Sequence, residues 1–77
     1  MKSAKKMFKK LDYKIIVNDK NQLTYEIVIW IDDFETIEKT ITFWLLDKIF
    51  ELDGEFTIEE LQAINKQVEE LGWLWSD

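Results

Sequence analysis

Carboxylates can move protons, and six of those in this chain come as adjacent pairs: Asp32-Asp33, Glu59-Glu60 and Glu69-Glu70. Paired carboxylates can serve as general acid and base, but only when a fold sets them facing one another across a cleft. Neighbours on a helix point away from each other and do not meet that condition. The chain has no His and no Cys, which removes an imidazole base, a thiol nucleophile and the usual soft metal ligands. Ser3 and Ser76 lie near the two ends. Asp53-Gly54-Glu55 resembles a fragment of a calcium loop, yet the alternating oxygen ligands before the glycine are missing, so a turn is expected. No glycine-rich phosphate loop exists, because Gly54 and Gly72 are the two glycines and both suit turn or cap positions. The inventory predicts no catalytic residue, no cofactor and no metal, and hence a protein that is not an enzyme.

Charge is placed unevenly. Residues 1–14 hold six Lys and one Asp, a balance of +5, whereas residues 15–77 hold four Lys and fifteen acids, a balance of −11. Five lysines in the first ten residues could neutralise phosphates. The chain has no Arg for bidentate base contacts and no aromatic on that basic face, so nucleic acid is not the expected partner. Acids in the first turn of a helix favour its dipole, which accounts for Glu59 and Glu60. Glu69 and Glu70 fall at a helix C-terminus, where negative charge is unfavourable, and local stability does not explain them.

The elements that position these groups follow from spacing. Ser3 caps a short first helix whose Ala4, Met7, Phe8 and Leu11 form one apolar stripe and which ends near Leu11-Asp12. Four strands are expected at residues 13–17, 23–31, 40–46 and 49–52. Asn and Asp in residues 18–22 mark the first turn, residues 32–38 form an acidic connection, and Asp47-Lys48 makes a tight turn. A single strand running through residues 47–52 is the competing reading. Residues 56–73 read as a complete helix. Thr57 and Glu60 form a capping box, Phe56 and Leu61 a hydrophobic staple, and Gly72 with Trp73 a Schellman stop. Leu61, Ile64, Val68 and Leu71 are expected to pack on the sheet, flanked by Asn65 and Gln67 as possible polar contacts. The fold class is α+β in one domain over residues 1–77: an N-terminal helix, a four-stranded antiparallel meander and a C-terminal helix on the sheet.

Seventy-seven residues bury little surface, and no disulfide or metal ligand set is present to compensate. Four Trp, two Tyr and five Phe supply a dense core and a surplus. Strands two and three carry apolar side chains on both faces, with Val28 and Trp30 on one and Trp44 and Leu46 on its neighbour forming a second face. Exposing them forgoes about 1.5–3 kcal/mol each. Either a helix or the Trp73-Leu74-Trp75 tail covers this face, or another protein does, most simply a second copy in a homodimer. Glu69 and Glu70 are candidate contacts to a basic partner, while Asn65 and Gln67 either satisfy strand-edge backbone groups or contact a polar ligand or partner.

Both ends of the chain resemble a group of small proteins encoded by phages and prophages of low-GC Gram-positive bacteria. The matching stretches are Ile58-Glu-Glu-Leu-Gln-Ala-Ile-Asn-Lys-Gln-Val-Glu-Glu-Leu-Gly-Trp73 and Ser3-Ala-Lys-Lys-Met-Phe-Lys-Lys-Leu-Asp-Tyr13, with the middle alike only as a run of short strands. The resemblance implies a non-structural phage accessory protein and carries over no functional residue.

No window reaches the ~18 apolar residues of a membrane span and no apolar run follows the first lysines, so an intact cytoplasmic polypeptide is expected. The leading expectation is an interaction protein that binds or inhibits a host factor, with Val28, Trp30, Trp44, Leu46, Trp73 and Trp75 as anchors. Two alternatives stand beside it: an acidic mimic of nucleic acid on a host enzyme, and an oligomer that sequesters a small nucleotide signal.

Overall fold

The structure, a computed structural model, describes residues 3–73. The element order is α1 (Ala4–Lys10), β1 (Lys14–Asn18), β2 (Gln22–Trp30), β3 (Thr36–Trp44), β4 (Ile49–Asp53) and α2 (Ile58–Glu70). It is a small α+β chain, with an antiparallel sheet in the order β1-β2-β3-β4. These elements fall into two compact units: the two helices, and the sheet at Tyr13–Glu55.

In the helical unit both ends of both helices are set by local hydrogen bonds. The Ser3 side chain accepts from the Lys6 N–H at 3.2 Å and starts α1. Asp12, at φ 73, ends it in the left-handed region, its N–H donating to the Lys9 carbonyl. On α2 the capping box is complete. Glu60 N–H donates to Thr57 Oγ1 at 3.2 Å, and Thr57 N–H donates to Glu60 Oε1 at 2.8 Å. The far end is a full Schellman motif: Trp73 N–H donates to Val68 O at 3.1 Å and Gly72 N–H to Glu69 O at 3.0 Å, with Gly72 at φ +77.

The two helices run antiparallel. Glu70, at the end of α2, accepts from the N–H of Ala4, the first residue of α1, at 3.0 Å. At the other end Lys10 and Leu11 share an open cavity with Glu59 and Gln62. Opposite dipole ends therefore adjoin, and the carboxylate of Glu70 satisfies an orphan donor at the positive end of α1. Glu69 pairs instead with Lys66 at 3.3 Å. Both acids that local stability left unexplained thus have partners.

The buried side of α2 consists of Glu60, Ala63, Ile64 and Gln67. Of the expected stripe of Leu61, Ile64, Val68 and Leu71, Ile64 is buried and Val68 and Leu71 are half-buried; Leu61 is the correction, at 46% exposed. The capping box explains the difference: Glu60 must turn back over Thr57, so the face that follows at three- and four-residue spacing is 63, 64 and 67. Ala4 and Ala63 are both fully buried, as suits two helices in close packing.

In the sheet unit, Leu23, Tyr25, Ile41 and Phe43 form the buried face. Tyr25 meets Phe43 edge to face at a centroid separation of 6.4 Å. In two of the hairpin loops an aspartate does the same work. Asp19 Oδ1 accepts from the N–H groups of Asn21 and Gln22 at 2.8 and 2.9 Å, and Asp32 Oδ1 from those of Phe34 and Glu35 at 2.7 and 2.9 Å.

Two boundaries differ from expectation by several residues. β3 starts at Thr36, since Asp32 closes a short loop at residues 31–35 and frees residues 36–39 for pairing. The β3–β4 loop takes four residues, 45–48, with Lys48 at φ 58, so Leu46 lies in a turn and not on a strand face. That loop also rules out one strand through residues 47–52. In β1 a bulge falls between Ile15, opposite Tyr25, and Val17, opposite Thr24, yet the expected alternation holds: Tyr13 is buried, Ile15 and Val17 are half-buried, and Lys14, Ile16 and Asn18 are exposed.

Lys39 is 9% exposed and lies across Gly54, donating from Nζ to the Glu55 carbonyl at 3.1 Å. A Cβ on Gly54 would stand 2.8 Å from Lys39 Cγ, and its φ of +123 disfavours any side chain. Gly54→Ala is expected to cost more than about 2 kcal/mol, whereas Gly72→Ala, in open space, should cost about 1–2 kcal/mol. Denaturant unfolding of the two variants checks the order. By the same measurement Glu70→Ala should cost about 0.5–2 kcal/mol through the lost α1 cap, and Glu69→Ala less than about 0.5 kcal/mol.

Candidate interaction surface

Strand length creates the surface. β2 and β3 each run nine residues, but β1 and β4 run five. Both outer strands reach the same rung: Lys14 pairs with Glu26 and Asp53 with Thr40, while Glu26 faces Thr40. Beyond that rung, four more pairs, from Ile27↔Lys39 to Trp30↔Thr36, continue as a two-stranded ribbon. At ~3.4 Å per residue this arm projects about 14 Å past the flanked sheet, before its loop.

The arm is apolar where solvent meets it. Ile29 faces Ile37 on one side, and they are 39% and 47% exposed. Trp30 points to the other side at 72%, and the loop adds Ile31 at 55% and Phe34 at 95%. Around them Asp32, Asp33, Glu35 and Glu38 are all exposed. Asp32 is committed to the loop through its two accepted N–H bonds. At the arm's base, Lys39 holds β3 to the segment after β4.

The sequence-predicted anchors do not form one patch. Trp30 pairs with Thr36 at one end of the ladder, and Trp44 with Gln22 at the other. Eight residue steps separate the two rungs, about 27 Å at the usual strand rise. Between them the same face is polar. Gln22 Nε2 donates to Thr24 Oγ1 at 2.8 Å, and the hydroxyls of Thr24 and Thr42 bond at 3.2 Å. Trp44 is half-buried and donates its indole N–H to Glu51 Oε1 at 2.6 Å, an intramolecular role. Val28 is half-buried opposite Glu38, and Leu46 is 75% exposed in its turn. Trp73 is half-buried as the residue after the Schellman glycine, and Trp75 lies outside the described residues.

The predicted polar contacts also separate. Asn65 is exposed, but Gln67 is only 7% exposed and belongs to the buried side of α2. Glu69 and Glu70 serve Lys66 and the Ala4 N–H. Sequence reasoning missed Ile29, Ile31, Phe34 and Ile37. The available signal was the mismatch between two long and two short strands, which forces part of the longer pair to stand alone.

Among the described residues no cluster of His, Cys, Asp or Glu could hold a metal ion, and no helix is long and apolar enough to cross a membrane. No family model, curated protein or solved structure matches the chain.

If the arm contributes little to folding, its tip can be altered freely. Trp30→Ser/Phe34→Ser should change unfolding free energy by no more than about 1 kcal/mol, while Phe43→Ala, fully buried, should cost about 3–5 kcal/mol. Chemical denaturation of the three proteins decides this.

Proposed function

We propose that this chain is a non-enzymatic accessory protein, of the phage kind its two ends resemble, that binds a host protein in the cytoplasm. The arm carries the reading. Five large apolar side chains, Ile29, Trp30, Ile31, Phe34 and Ile37, stand exposed on an element held at its base by Lys39. A ribbon apolar on both sides suits insertion into a groove, where each such side chain gains about 1.5–3 kcal/mol on burial. Trp30 is the natural anchor, since indoles dominate binding energy at interfaces. The acids around the tip match a groove with basic walls and speed encounter with it.

A second reading, mimicry of nucleic acid on a host enzyme, draws on the same four carboxylates, Asp32, Asp33, Glu35 and Glu38. The two readings separate by variant. Affinity capture from the cytoplasm of a low-GC Gram-positive host should recover a partner with the wild type and with Trp44→Ser, and lose it with Trp30→Ser/Phe34→Ser. Loss with Asp33→Asn/Glu35→Gln/Glu38→Gln, and retention with the apolar variant, would instead assign the mimic.

A further inference from the structure

Two segments of this chain carry opposite charge, and neither is neutralised from within. Residues 29–38, at the end of the β2–β3 arm, hold Asp32, Asp33, Glu35 and Glu38 and no lysine. Residues 3–11 hold Lys5, Lys6, Lys9 and Lys10 and no acid. All eight charged residues are exposed.

Each segment also presents apolar surface. On the helical unit, Met7 and Leu11 of α1 line an open cavity of about 290 Å³ together with Lys10, Glu59 and Gln62. Lys6 lies one helical turn from Lys10, so the α1 wall carries two cations beside Met7. A cavity of ~150 Å³ already holds a benzene ring, so this one has room for an aromatic side chain. Phe34, on the loop of the arm, is 95% exposed and falls between Asp33 and Glu35. Asp32 holds the backbone there by accepting the N–H groups of Phe34 and Glu35, which lowers the ordering cost of docking.

We infer that the arm tip of one copy docks on the helical unit of another. Phe34 enters the cavity against Met7 and Leu11, and Asp33 and Glu35 lie beside Lys6 and Lys10. Charge selects this pairing over the like ones. Arm against arm opposes four carboxylates to four, and α1 against α1 opposes four ammonium groups to four. Glu59, the one acid in the lining, stands in the first turn of α2, where the helix dipole offsets its charge. Because the two surfaces differ, reciprocal docking closes a two-fold dimer and one-way docking extends a chain. The inference stands apart from the host-binding reading, since this association needs no second protein.

Sedimentation equilibrium of the full chain at ~50 mM salt should show self-association that weakens as salt rises. Phe34→Ser should weaken it at least about tenfold, and Lys6→Gln/Lys10→Gln about threefold or more. Thermal melts confirm that each variant folds. The deciding measurement mixes two chains. Asp33→Asn/Phe34→Ser/Glu35→Gln loses the arm tip and keeps the cavity, whereas Lys6→Gln/Met7→Gln/Lys10→Gln does the reverse. Each should be monomeric alone, and their equimolar mixture should associate, because an intact arm then meets an intact cavity. A wild type still monomeric at about 1 mM overturns the inference, as does a mixture that stays monomeric there while the wild type associates. Association unchanged by both sets of substitutions would place the contact elsewhere and overturn it too.

Discussion

The nine-rung pairing of β2 with β3 is the constraint on which the rest of the sheet unit depends. Its register is set where Asp32 takes the N–H groups of Phe34 and Glu35 and closes a short loop. With Trp30 opposite Thr36, every later pair is determined, down to Gln22 opposite Trp44. The ladder then places Leu23, Tyr25, Ile41 and Phe43 on the buried face and Thr24 beside Thr42 on the other. A slip of one residue would exchange those faces and carry Tyr25 and Phe43 off the side on which they are packed. Because only four or five rungs are flanked on each side, the same register also decides which residues stand beyond the flanked sheet.

Much of this was legible because the determining interactions are local. Ser3, the Thr57/Glu60 box and the Gly72 stop each involve residues within five positions of one another, and all three appear as the sequence suggests. The order of two helices around four strands was readable for the same reason. What spacing could not convey was the consequence of antiparallel pairing over a long ladder. Trp30 and Trp44 lie on adjacent strands and the same face, which suggests neighbours, yet antiparallel register sends them to opposite ends. Leu46 left its expected face because the β3–β4 loop takes four residues rather than two, with the left-handed position filled by Lys48.

On α2 the apolar pattern misled for a different reason. Leu61 looks like an inward position by hydrophobicity alone, but Glu60 must serve the cap and Ala63 lies on the buried side of the packed helices. Polar and small residues therefore occupy the buried side, and a leucine faces out. Glu70 shows the same limit. Its reason for standing at an unfavourable helix end is the N–H of Ala4, 66 positions away, and no pattern within one helix reveals that.

Lys39, crossing Gly54 to reach the Glu55 carbonyl, has a consequence for how such a protein can diversify. Beyond it on the ribbon Asp32, which closes the loop, still answers to folding, while the exposed apolar side chains around it are free to change. A lineage could rewrite the apolar tip around Asp32 and keep the frame. Divergence between cousins should then concentrate in residues 29–37, with the frame below Lys39 drifting far more slowly.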